Sequence, residues 1–232
     1  MIEKDLRMPQ TLTAPTAPGL APARPAAPRS LLVCGIAAGP LFLAAGLAQG
    51  VTRDGFDFTR NALSQLSLGG LGWIQVTVFL FTGLLVIGGA IGIRQVLHGS
   101  PAGTWAPWLL GVFGASFLVA GVFRADPGAG FPAGTPEDRV PSLSAHGTVH
   151  LLSGAVGYLA LCAAFLVLAR HFAGQRRRGW ALACRLVPVG ILAGFAGSSA
   201  TVPAFTAGAG LGLLWLTAVT ARLAIPAPTA QP

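Results

Sequence analysis

Six stretches of this chain are each long enough to be a membrane helix and almost free of charge, and that pattern constrains the fold more than any other. About 20 mostly apolar residues are needed to cross the hydrocarbon core of a bilayer as a helix. The stretches are Leu31–Val51, Trp73–Ile93, Trp105–Phe123, His146–Ala169, Trp180–Ala200 and Ala204–Ala224. In hydrocarbon no water can bond the backbone, so a spanning run must satisfy its own N–H and C=O groups as a helix. The expected fold is all-α: a polytopic membrane helical bundle of about six transmembrane helices, occupying residues 30–225. Only TVP separates the last two runs, which predicts a tight helical hairpin.

Composition agrees. The chain is 53% hydrophobic and 9% charged, whereas soluble domains carry about a quarter charged residues. The seven acids, Glu3, Asp5, Asp54, Asp57, Asp126, Glu137 and Asp138, all fall outside the apolar runs. The formal net charge is +8, but the basic residues flank apolar runs and form no aromatic-interleaved stripe. The partner they imply is the lipid bilayer and not nucleic acid. Cys34, Cys162 and Cys184 each sit within an apolar run with no C-x-x-C pair, so neither a disulfide framework nor a zinc knuckle is expected.

Residues 1–29 and 226–232 are rich in Pro, Ala and Thr without apolar periodicity, and read as disordered tails. The first apolar run is too long for a signal-peptide core and five more follow, so it reads as a span. With the N-terminus inside, Lys4, Arg7, Arg24, Arg29, Arg94, Arg170, Arg176, Arg177, Arg178 and Arg222 lie inside. Arg53, Arg60, Arg124 and Arg139 lie outside, and Arg185 lies within the fifth span. The positive-inside rule therefore predicts a multi-pass protein of the cell (inner or plasma) membrane with both termini cytoplasmic. Trp73, Trp105, Trp108 and Trp180 near span starts fit interfacial belts. Small residues four apart, such as Gly35 and Gly39 or Gly190 and Gly194, predict close packing within one bundle in preference to dimerisation.

Chemistry can reside on the outer side, where two long loops, residues 51–72 and 124–145, carry five of the seven acids. Four pieces there resemble a known family. They are the run Asp57-Phe-Thr-Arg-Asn-Ala-Leu-Ser64 with its Gly-Gly-Leu-Gly-Trp73 exit, Gly121-Val-Phe-Arg-Ala-Asp126-Pro127, Gly130-Phe-Pro-Ala-Gly-Thr-Pro136, and His146 with His150. Together they are similar to the bacterial integral membrane proteins grouped as domain of unknown function 998, over most of residues 31–224. The resemblance implies a multi-span bundle and supplies no activity.

The residues themselves suggest specific candidates. His146 and His150 are four apart and share a helix face, a recurrent metal-ligand spacing. Asp126 ends the preceding span on the same side and could serve as third ligand or general base, and zinc is the metal such a set would take. Asp57 and Ser64 come from the other outer loop and are further catalytic candidates; Ser64, His150 and Asp126 also compose a triad on paper, without a G-x-S-x-G elbow. This constellation defines one reading, a membrane-embedded metal-dependent hydrolase acting on a lipid-like substrate at the outer face. The blander reading, and the favoured one, is a structural His–Asp pair satisfying buried groups. That leaves an integral membrane protein of uncharacterised role, with a structural or accessory protein that binds a partner through its outer loops as the other alternative. Whether the protein is an enzyme, and whether its partner is a small molecule or a protein, stays open. Transport ranks lower, because no span contains Asp or Glu. The segment Phe58–Leu68 is expected to lie on the membrane as a short amphipathic helix, with Phe58, Leu63 and Leu66 facing down.

Overall fold

The structure is a computed structural model that describes residues 27–138 and 143–225. It contains six long helices: α1 (Ala27–Thr52), α2 (Gly72–Val96), α3 (Pro101–Val122), α4 (Ala145–Gly174), α5 (Arg178–Ala196) and α6 (Val202–Ala224). All six are long and apolar enough to cross a membrane, and the described residues form no β-strand. The tails lie outside the described residues, except that α1 already begins at Ala27.

Each helix packs on its neighbour in the chain, and α6 closes back on α1, so the bundle is a ring in chain order. Glycine makes the close approaches. A Cβ added to Gly89 of α2 would stand 2.6 Å from the Cα of Gly35 in α1, and one added to Gly194 of α5 would stand 2.7 Å from the Cα of Gly208 in α6. The glycine pairs therefore seat helix on helix within one chain. The starts of α3, α4 and α6 are closed by side chains that accept orphan N–H groups: Ser100 from Gly103, Ser144 from Gly147, and Thr201 from Ala204. Trp73, Trp105 and Trp108 are exposed to the surroundings of the bundle. Trp180 instead stacks on Trp215, with ring centroids 5.3 Å apart.

Both long loops lie at one end of the ring, called here the loop face. The segment expected to float on the membrane does not do so. Within it only Leu63–Ser67 is helical, as a 3-10 turn, and Leu63 and Leu66 are buried in the protein. The reason is polar: the side chains of Asn61 and Gln65 bond to the second loop, which fastens the first loop to the top of the bundle.

Candidate functional site: a capped apolar cavity

The loop face is a cap in which Arg53, Asn61 and Gln65 are spent on loop backbone. Arg53, just beyond α1, donates from Nη1 to the Leu66 carbonyl and from Nη2 to the Leu68 carbonyl, each at 2.6 Å. Its guanidinium lies 5.0 Å from the ring centroid of Phe131, which comes from the other loop and is 1% exposed. Asn61 Nδ2 donates to the Ala129 carbonyl at 3.2 Å, while its Oδ1 accepts the Asp57 N–H at 2.9 Å. Gln65 Nε2 donates to the Gly128 carbonyl at 3.4 Å and its Oε1 accepts the Ala62 N–H at 3.0 Å. Two side-chain amides thus read the backbone of the opposite loop, where loop carbonyls would otherwise lack partners.

Asp57 belongs to this cap. Its carboxylate accepts the Thr59 N–H and hydroxyl, at 2.8 and 2.6 Å, and pairs with Arg60 at 3.1 Å. Arg60 reaches across to Glu137 at 3.1 Å. The Thr59 hydroxyl first, then its amide, and after them Arg60, hold the Asp57 carboxyl below the usual carboxylate range, against an opposing desolvation effect.

Beneath the cap the ring encloses a cavity of about 350 Å³. Phe42, Phe79, Phe117 and Phe195 furnish much of its wall, three of them packed on each other with centroids 5.2 to 5.8 Å apart. Its polar side chains are few: Ser64 from the cap, Ser116 from α3, His150 and Tyr158 from α4, and Ser198 and Thr206 near the hairpin. Two of these are already engaged, Tyr158 donating to the Ala209 carbonyl at 3.2 Å and Ser116 to Phe113 at 2.7 Å. Leu151, Ala155 and Ser198 line the cavity and are exposed, so its rim opens on the flank of the bundle beside α4.

His150 is the titratable imidazole in the wall, beside the hydroxyls of Ser64, Ser198 and Thr206. It is 6% exposed, and its Nδ1 lies 2.9 Å from the Phe123 carbonyl and 3.3 Å from that of Ala120. These are carbonyls at the C-terminal end of α3, which have no intrahelical partner to lose. Nδ1 must donate to them, which assigns the neutral ring the tautomer with an accepting Nε2. Among the described residues no side chain or backbone group bonds that Nε2, and the ring lines the cavity.

The other sequence candidates have separate employments. His146 is exposed, with its ring against Phe123 at 5.3 Å between centroids. Asp126 accepts the Ser144 N–H at 2.9 Å and its hydroxyl at 2.5 Å, and so sits over the start of α4. A Cβ on Gly147 would overlap that carboxylate, so glycine there makes room for it. Among the described residues no three His, Cys, Asp or Glu side chains form a group that could hold a metal ion. The structure brings Ser64 and His150 to one cavity; Asp57, Asp126 and His146 stand outside its wall. Arg139, a potential partner for Asp126, lies outside the described residues.

A sequence profile described as Protein of unknown function (DUF998) matches residues 36–224, which takes in the cap, the cavity and nearly all of the ring. This chain belongs to the DUF998 family. Comparison with curated proteins and with solved structures gave no match. In this DUF998 protein the residues that sequence reasoning overlooked are Arg53, Asn61, Gln65, Phe131 and Tyr158. Arg53 counted only as one outer charge. Asn61 and Gln65 carried a usable signal: two amides four residues apart beside an apolar turn, in a segment read as facing lipid.

Proposed function

We propose that this DUF998 protein resides in the cell membrane with both tails cytoplasmic and its cap outside, and that it holds a lipid-like amphiphile in the capped cavity. The observation that carries this reading is the cavity itself: about 350 Å³ behind an aromatic wall, with an unengaged ring acceptor, His150 Nε2, near its capped end. Ligand sites of roughly this size are mostly apolar, with a few polar groups that fix orientation. An acyl chain or similar apolar body would lie against Phe42, Phe79 and Phe117. A hydroxyl or amide at its end would donate to His150 Nε2, with Ser64 as the second polar contact. The rim at Leu151 and Ala155 faces the flank, where bilayer lipids would be.

Binding is favoured over hydrolysis by the employment of the acids. In a Ser–His–Asp arrangement a carboxylate takes the histidine Nδ1, and here two backbone carbonyls hold that atom. Asp126 is committed to Ser144. The orientation is supported by the excess of Lys and Arg at the end opposite the cap.

A photoactivatable long-chain acyl probe, added to the purified protein and irradiated, tests the reading. Peptide mapping should find adducts on α4 between Leu151 and Tyr158 and on α6 near Thr206, competed by unlabelled lipid extract. Adducts spread evenly over the outward faces of α2 and α3, with none on the cavity wall, would overturn it.

A further inference from the structure

At the end opposite the cap, Arg176, Arg178 and Arg185 line a groove of about 740 Å³ together with Ala173, Ala181 and Leu182. Arg178 and Arg185 are seven residues apart on α5, two helical turns, and so share one face about 10 Å apart along the axis. All three arginines are exposed. Every described Asp and Glu lies on the loop face, and both ion pairs among the described residues belong to Arg60. The groove therefore gathers three guanidiniums with no acid among the described residues to balance them. The start of α5 adds to the same deficit, because the side chain of Arg177 at its N-cap makes no capping bond and its first turn holds no acid. Orphan N–H groups and the positive end of the helix dipole favour an anion there. Deeper along the helix, Leu182, Leu186 and Val189 are 54%, 58% and 62% exposed.

We propose that this groove is a site for a phosphate ester anion, presented by the headgroup of an anionic membrane lipid. Three features select that chemistry. Planar guanidinium groups match phosphate oxygens in a bidentate fork. Arg185 lies within a helix that reads as a span, where an unbalanced cation is costly and finds its counter-ion at the headgroup level. The exposed strip Leu182–Leu186–Val189 offers an acyl chain an apolar track running away from the groove. A soluble phosphate would use the guanidiniums and leave that strip idle.

The test uses the full-length protein and native mass spectrometry, with phosphatidylglycerol, phosphatidylcholine and inorganic phosphate as separate probes. Phosphatidylglycerol should be retained several-fold better than phosphatidylcholine, and millimolar inorganic phosphate should not displace it. Arg185→Gln, which removes none of the arginines counted in the topology, should abolish most of that preference, and Arg185→Lys should restore part of it. Arg94→Gln, at the same end but outside the groove, should leave the preference unchanged. Equal retention of the two lipids overturns the site. An equal loss in Arg94→Gln and Arg185→Gln overturns it in favour of diffuse attraction. Displacement by inorganic phosphate overturns the lipid as its source.

Discussion

Arg53 and Arg178 are the same residue type at opposite ends of one bundle, and they do unlike work. Arg53 gives both Nη groups to loop carbonyls and lies against a buried ring. Arg178 stands in an open groove with two more arginines and, among the described residues, no acid. At the loop face Arg60 pairs with both Asp57 and Glu137, and amides satisfy carbonyls. At the other end positive charge is left over. A sealed end can exclude water from an apolar cavity beneath it, and an end with unbalanced cations must draw its counter-charge from the surroundings. Charge counting alone treats all these arginines as one quantity.

Substitutions at the two ends should therefore differ sharply. The largest loss is expected for Phe131→Ala, which empties a fully buried ring position at the centre of the cap and should cost about 3 kcal/mol in reversible unfolding from mixed micelles. Next comes Arg53→Gln, which breaks two charged hydrogen bonds and leaves two carbonyls short, for about 2 kcal/mol. Its counterpart Arg178→Gln should stay within about 0.5 kcal/mol in neutral detergent. A matching loss at Arg178 would erase the contrast between the ends. Asp126→Asn should cost about 1 kcal/mol through weaker capping of α4, with binding of the acyl probe unchanged. A large drop in probe binding at preserved stability would move Asp126 from the helix cap into the site.

The smallest effect concerns pH. The Asp57 carboxyl is held low in the folded protein, so its contribution is present above the unfolded pKa, about 3.9, and is lost as pH falls through the folded value. The melting temperatures of wild type and Asp57→Asn should differ slightly at neutral pH and converge in acid below that range. A gap that widens on acidification would show that the sign of this shift had been misassigned.

The spans were legible because length and the absence of charge are sufficient signals where backbone bonding must be internal. The tight hairpin between α5 and α6 was legible too, but its turn is residues 197–201, and Val202 and Pro203 of the TVP expected to separate the helices already belong to α6. The cap was not legible, because its bonds join Asn61 and Gln65 to carbonyls more than sixty residues away, and backbone acceptors leave no mark in a sequence. The histidines show both limits at once. Their spacing places them on one face of α4, but the depth of each is decided by what ends beside it. His150 falls against the orphan carbonyls of α3, and the ring of His146, one turn nearer the loop face, lies against Phe123. Asp126 was read toward a shared site with them because it adjoins the start of α4, and the same adjacency serves Ser144.

Gly154 offers the most direct test of the cavity as a lipid site. It lines the cavity, and a Cβ built on it meets no atom within 4 Å, so a side chain can be introduced at the wall without a clash at its first atom. The measurement is equilibrium binding of a fluorescent long-chain acyl probe to wild type and Gly154→Trp, with thermal unfolding of both in parallel. Occupancy of the cavity by an acyl chain predicts at least ~ten-fold weaker binding in the variant, about 1.4 kcal/mol, at unchanged or slightly higher stability, since replacing a helical glycine costs the fold nothing. Undiminished binding by a stably folded Gly154→Trp would contradict the account, because the probe would then be held somewhere other than the capped cavity.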